Sequence, residues 1–350
     1  MHVVPAVALS ALLPVWTAVL FALALWLLTA SRLHAPGLDR RRPRWLTHLV
    51  DEPVFWHWGG CLVGLPLLAA AVPVAVLGGW SPTRAALAAY AVGLAVSAWS
   101  VWGLRRRPRV RRVDVAIAGL PPQLDGYAVA QLSDLHIGSF DPPSRGARWV
   151  ELCNALQPDL TVVTGDLVTS GVEFYDDTAE LLGQLSARDG VLVTMGNHDQ
   201  WDAERFISAI RSRGPSVLLN EWTRVVRDGA TLVVAGLDDR FTQRDDLGQA
   251  LSGRPVGAPT LLLSHYPDFF ERAAEQGVDL VLSGHTHGGQ LGLPFVGERY
   301  NIATLAGTWS RGLFRSGSSQ LYVNAGLGTT GPPMRLGVPP EIALLVLRRG

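Results

Sequence analysis

The sequence predicts an α/β domain preceded by an N-terminal bundle of three transmembrane helices. Three observations carry this: long uncharged runs confined to the first third, short β-branched or Leu-rich runs alternating with helical stretches from about residue 110, and polar residues gathered where those short runs end. The expected division is a membrane anchor over residues 1–108 and a soluble domain over 109–350.

The anchor comes first in the chain. Val3 to Ala30 is uncharged for 28 residues, Val54 to Trp80 for 27 and Ala85 to Leu104 for 20, and a helix needs about 20 residues to cross a bilayer core. Three spans, at about 3–30, 54–80 and 85–104, are therefore expected, since uncharged runs of this length are rare in soluble cores. The opening "MHVVPAVALS" lacks the basic n-region of a cleaved signal peptide. Pro5, Pro14, Pro66 and Pro73 are tolerable where neighbouring helices satisfy the freed carbonyls. Eight of the 12 tryptophans lie at or before Trp102, matching an interfacial aromatic belt. Arg32, Arg40, Arg41, Arg42 and Arg44 follow the first span and "RRRPRVRR" (105–112) follows the third, whereas the intervening loop carries only Arg84. Positive-inside bias then predicts a multi-pass protein of the cell membrane with everything after Leu104 on the cytoplasmic side.

Charge divides the chain as hydropathy does. Residues 1–112 hold 12 Arg and 3 acidic residues and the rest holds 18 Arg and 27 acidic residues, so the net charge of zero conceals two opposite halves. An acidic soluble half excludes a nucleic-acid-binding surface. Cys61 and Cys153 are too few for a disulfide framework and read as buried thiols. The spans contain His57 as their only charged or imidazole side chain, which argues against an ion relay and hence a transporter.

In the soluble half, strands are expected at 127–133, 159–164, 190–195, 230–236, 259–264, 278–283, 320–324 and 342–348, with helices near 144–156, 175–186, 202–213 and 268–276. Near-continuous apolar strands interleaved with helices imply sheets covered on their faces. Five strands run into "DLHIG", "GDLV", "GNHD", "HYP" and "GHTH". Ligands in such folds bind beyond the carboxyl ends of strands, so these loops are expected to converge.

Beyond His57 the chain has five histidines, His136, His198, His265, His285 and His287, and all five sit in those loops. In "SGHTHGGQ", extended backbone would turn His285 and His287 to the same side. Asp134, His136, Asp166, Asn197, His265, His285 and His287 form an oxygen and imidazole ligand set without thiolate, which suits Mn, Fe or Zn. Seven ligands exceed the needs of one ion. Two divalent ions sharing a carboxylate are the economical reading, and such pairs serve phosphate ester hydrolysis.

"SDLHIG", "TGDLV", "GNHD", "SHYP" and "SGHTHGGQ", in this order over residues 133–290, resemble the five blocks of the calcineurin-like metallophosphoesterase family. The last block and the apolar N-terminal segment are similar to its membrane-associated branch, which includes UDP-diacylglucosamine pyrophosphatase-like phosphodiesterases. The resemblance implies two mixed β-sheets in a sandwich flanked by helices. It also implies one metal held by Asp134, His136 and His287, a second by Asn197, His265 and His285, and Asp166 bridging them. A metal-bound hydroxide would attack phosphorus, breaking a phosphodiester or pyrophosphate bond, with a lipid-linked nucleotide as one substrate class. His198 would face the substrate, with Asp199 fixing its tautomer; a helix N-cap before "WDAERF" is the other reading of Asp199.

Asp238 and Asp239 in "GLDDR" read as turn formers or site-lining residues, Gln290 and Asn324 as substrate contacts, and Arg240 as a solvated or phosphate-facing cation. The same ligands would serve a phosphoprotein phosphatase, and a non-catalytic membrane signalling or binding protein would lack some of them.

Overall fold

A computed structural model describes residues 2–33, 41–293, 300–307 and 309–350. The chain forms two compact units. The first comprises Arg42–Arg107, the described part of 1–38, and Gly331–Leu336; the second comprises Pro108–Thr330 and Gly337–Gly350 with Arg41.

Within the first unit, two helices, Arg44–Leu77 and Pro82–Arg106, are long and apolar enough to cross a membrane. The run expected as a first span is divided into helices Val3–Leu9 and Val15–Leu33. Pro14 sits at the break: it lacks an N–H, and its ring clashes with the carbonyl four residues earlier in a continuous helix. The apolar part of the second piece, Val15–Ser31, is shorter than the other two helices. Its 17 residues, at about 1.5 Å each, reach roughly 25 Å against a bilayer core of about 30 Å. Pro66 and Pro73, by contrast, lie inside a continuous helix.

Glycines let the two long helices touch. A Cβ built on Gly93 would lie 2.3 Å from the Gly60 carbonyl oxygen and 2.9 Å from Gly64 N, so Gly60 and Gly64 form the small-xxx-small face on which close helix approach depends. Several flanking arginines are already paired. Glu52 is buried and accepts from Arg105 Nη2 (2.9 Å), Arg106 Nη2 (3.1 Å) and Trp102 Nε1 (2.9 Å), while Arg42 pairs with Asp51 (3.0 Å). Arg40 lies outside the described residues.

Among its described residues the second unit has twelve strands: β1 (Arg109–Ile117), β2 (Ala128–Leu132), β3 (Leu160–Thr164), β4 (Val191–Thr194), β5 (Ser216–Val217), β6 (Glu221–Arg227), β7 (Ala230–Gly236), β8 (Thr260–Leu263), β9 (Leu280–Ser283), β10 (Gly312–Ser316), β11 (Ser319–Val323) and β12 (Glu341–Arg349). They build two six-stranded sheets, ordered β1-β12-β2-β3-β4-β5 and β10-β11-β9-β8-β7-β6. Both sheets are mixed: β2, β3 and β4 are parallel, as are β11, β9, β8 and β7, with antiparallel pairs β12–β2, β10–β11 and β6–β7.

Strand alternation assigns each side chain a layer. Val129, Leu160, Val162, Leu261, Leu263, Leu280, Leu282 and Leu345 from both sheets share one core, so the sheets face each other. The intervening residues Leu132, Val163, Leu344 and Val346 pack with Trp149 and Phe206 of the helices Pro143–Asn154 and Ala203–Arg211. On the other sheet Leu262 and Val281 pack with Phe270 of the helix Phe270–Glu275. Each fully buried Leu or Phe contributes roughly 1.5–3 kcal/mol. The basic stretch 105–112 runs into the sheet, since β1 begins at Arg109 and pairs parallel with β12 from its first residue. At one edge of the sandwich the buried Gln131 donates to Thr164 Oγ1 and to the Ser283 carbonyl (both 3.0 Å), tying the ends of β2, β3 and β9 together.

Candidate metal centre

The loops leaving this edge bring six of the seven expected ligands into two groups. Asp134, His136, Asp166 and His287 form one; Asp166, His265 and His285 form the other; in each group the ligand atoms lie within 4.8 Å of one another. Asp166 belongs to both. Its Oδ2 stands 3.5 Å from His136 Nε2 and 3.3 Å from His265 Nε2, and its Oδ1 accepts from the His198 backbone N–H (3.0 Å). His287 Nε2 lies 3.0 Å from His136 Nε2 and 3.5 Å from Asp134 Oδ1; His285 Nδ1 lies 3.2 Å from His265 Nε2.

The two histidines of "SGHTHGGQ" therefore go to different groups, and not through extended backbone. His285 and His287 have φ of 67° and 52°, with helical Thr286 between them, so strand alternation does not apply. Asp134 (49°), His136 (45°) and Asp166 (52°) share the left-handed conformation. Non-glycine residues adopt it sparingly, and its clustering here marks backbone bent to aim side chains. Glycines allow the loops to meet: a Cβ on Gly196 would lie 2.3 Å from Asp166 Oδ1, and one on Gly284 1.9 Å from Ser133 Oγ and 2.4 Å from Asp134 Oδ2.

Asn197 opens the short turn Asn197–Asp199, and its Oδ1 accepts from Tyr266 OH (3.2 Å). The Tyr266 ring packs 4.2 Å from that of His285 and 5.2 Å from that of His265, which ties Asn197 to the second group. Tyr266 carries no signal of its own in the sequence beyond standing next to His265 in "SHYP".

The electrostatics favour cations. Burial pushes His136 down to about 3 and, helped by the charge of His265, His285 down to about 4, keeping both imidazoles neutral with lone pairs available. Burial opposes charge on His265 as well, but the Asp166 carboxylate outweighs it and raises that imidazole to about 10. Asp166 in turn is raised by burial and lowered more strongly by His265 and His136, ending well below the ordinary carboxylate range. The donor set fits divalent metal. His136 and His287 present nitrogens to each other at 3.0 Å in a buried space, and His136 Nδ1 is buried with no hydrogen-bond partner among the described residues. His265 Nδ1–H donates to the Thr164 carbonyl (2.9 Å), directing its Nε2 to the site.

His198 lies against this cluster, its ring 4.7 Å from that of His136. Its Nδ1–H donates to the Thr169 carbonyl, so the partner fixing its tautomer is Thr169 and not the Asp199 carboxylate. That carboxylate is fully buried and accepts backbone N–H groups of Leu167, Val168 and Gly196. Nor does Asp199 cap the following helix, since Asp202 accepts from Arg205 N there.

The weaker expectations also resolve. Asn324 is fully buried and spends its amide on the Gln131 carbonyl (3.1 Å) and Gly326 N–H (2.8 Å); it is structural rather than substrate-facing. Gln290 holds the Thr330 N–H and carbonyl, both at 3.0 Å. Asp238 and Asp239 are turn formers, accepting from Asp239 N (2.7 Å) and Thr242 N (3.1 Å). Arg240 pairs with Asp268 at the surface (2.5 Å).

Residues 127–289 match the family described as calcineurin-like phosphoesterase. A Danio rerio "transmembrane protein with metallophosphoesterase domain" is 35% identical over 268 residues, covering 71% of this chain and 60% of that protein. The uncharacterized metallophosphoesterase YkuE of Bacillus subtilis (strain 168) is 33% identical over 236 residues, covering 65% of this chain and 82% of YkuE. An uncharacterized metallophosphoesterase of Aquifex aeolicus (strain VF5) is 32% identical over 249 residues, covering 69% of this chain and 92% of its own length. The match spans about 60% of the length of the Danio rerio relative.

Proposed function

We propose, from the premise that the chain belongs to the calcineurin-like phosphoesterase family, that it is a membrane-anchored dimetal hydrolase of a phosphodiester or pyrophosphate bond in an amphiphilic, lipid-linked substrate. The observation that carries this reading is the pair of ligand groups meeting at Asp166. Asp134, His136 and His287 would hold one cation and Asn197, His265 and His285 the other, with Asp166 shared by both groups. Two divalent ions, when bound, supply Lewis acidity at the phosphoryl oxygens and an activated water. His198, oriented by the Thr169 carbonyl, presents Nε2 to the substrate and protonates the leaving oxygen.

Residues 1–108 act as the anchor and 109–350 as the catalytic domain on the cytoplasmic side. The arginine bias around the apolar runs supports that orientation. Two helices long and apolar enough to cross a membrane, and a relative named as a transmembrane protein, support membrane association. A lipid substrate follows from economy: it is already concentrated at the bilayer, where a tethered domain finds it.

A tag fused after Gly350 should be protected from protease in intact spheroplasts; cleavage from outside would sink both orientation and substrate pool. Purified Mn-loaded protein should turn over a nucleotide-diphosphate lipid faster than bis-p-nitrophenyl phosphate or a phosphopeptide. Preference for the phosphopeptide would favour a phosphoprotein phosphatase, and no turnover of any substrate would favour a non-catalytic role.

A further inference from the structure

We propose that Asp199 is a positioning residue that clasps two ligand loops together and thereby fixes the bridge between the two metals. The inference rests on the dimetal reading above. Asp199 Oδ1 accepts the N–H groups of Leu167 (2.9 Å) and Val168 (3.2 Å), the two residues that follow Asp166. Its Oδ2 accepts the N–H of Gly196 (2.8 Å), the residue that precedes Asn197. The clasp is reciprocal, because Asp166 Oδ1 accepts the N–H of His198 (3.0 Å) from the other loop. Each loop thus contributes one carboxylate and receives the other's backbone donors.

Asp199 has no solvent exposure, and a buried backbone N–H deprived of its acceptor is costly. The clasp has a local use. Asp166 sits at φ 52°, a conformation that persists only when its surroundings over-determine it. The two loops meet backbone to backbone at Gly196, where a Cβ would fall 2.4 Å from Asp166 N, so the site requires them to stay this close. Loosening Asp199 lets Asp166 and Asn197 drift apart, and the second cation loses its shared carboxylate.

Asp199→Asn replaces one acceptor oxygen with an NH₂ that opposes a backbone N–H. Groups that orient metal ligands typically change affinity 10- to 100-fold. The Mn(II) concentration for half-maximal binding should therefore rise about tenfold or more, and the exchange-coupled Mn pair should vanish from the EPR spectrum. The pH profile of turnover at saturating Mn(II) should keep its wild-type shape. An unchanged Mn(II) titration with a shifted pH profile would place Asp199 in the service of His198 and overturn the proposal, as would no change in either. Wild-type protein that binds fewer than two ions by elemental analysis would bring down the dimetal reading itself. If Asp199→Asn fails to fold by circular dichroism, Asp199→Glu keeps the carboxyl group, displaces both oxygens by a methylene, and is judged by the same titration and spectrum.

Discussion

The two units bury comparable kinds of side chain for different ends. In the first, the long helices approach through Gly60, Gly64 and Gly93, and charge is drawn into pairs such as Glu52 with Arg105. In the second, apolar strands fill three packed layers, and carboxylates gather beyond the strand ends as Asp134 and Asp166, both buried. Glu52, neutralised by arginine, holds helices; Asp134 and Asp166, surrounded by imidazole, are placed to receive a cation. The difference teaches where to look for chemistry: in buried carboxylates whose neighbours can give up a proton.

Substitutions sharpen that contrast. Asp166→Asn should lower phosphoester turnover by about 10⁴-fold or more, since it removes charge from both ligand groups at once. Elemental analysis should show fewer than two ions per chain, and retention of both would break the bridging assignment. His198→Ala should cost roughly 10²–10⁴ in turnover with metal content unchanged; loss of a metal there would make His198 a ligand. Gly93→Leu belongs to the other unit. Its side chain meets the Gly60 carbonyl, so overpacking should cost roughly 1–3 kcal/mol, seen as a lower unfolding temperature in detergent. Turnover of a soluble phosphodiester by the remaining folded protein should stay within about twofold of wild type. A drop as large as that of His198→Ala would show that the units are not separable in function. Arg240→Ala should do least: its exposed pair with Asp268 predicts less than about a twofold change in KM or melting behaviour, and a tenfold rise in KM would instead make it a phosphate contact.

Eight strands were legible as apolar runs, namely β2, β3, β4, β7, β8, β9, β11 and β12. The four that were not, β1, β5, β6 and β10, are the end strands of the two sheets. An edge strand has one neighbour and an open side, so Arg109, Arg111 and Arg112 of β1 and Arg224 and Arg227 of β6 interrupt any apolar run. The first apolar run reads as one span because uncharged length takes no account of Pro14, where the helix breaks. At the site, the imidazoles and carboxylates stood out because strand ends concentrate them. Their supports did not: the Thr164 and Thr169 carbonyls and the Leu167, Val168 and Gly196 N–H groups belong to the backbone, which every residue carries. The role of Asp199 is hidden for the same reason, since adjacency to His198 in sequence says nothing about which loop its carboxyl faces.

The left-handed ligands have a consequence for how the protein breathes. Five residues, Asp134, His136, Asp166, His285 and His287, hold backbone torsions that the isolated chain avoids, and the surrounding loops keep them there, with a cation expected to reinforce them. Chelation should therefore leave the sheets intact and let these segments open on their own, as low-stability patches on a rigid frame. Amide hydrogen exchange after chelator treatment should accelerate at 134–138, 165–169 and 284–290 while β3, β8 and β9 stay protected. The metal would then act as a latch on local fluctuation, and the time for which it stays bound would follow the opening rate of those three segments.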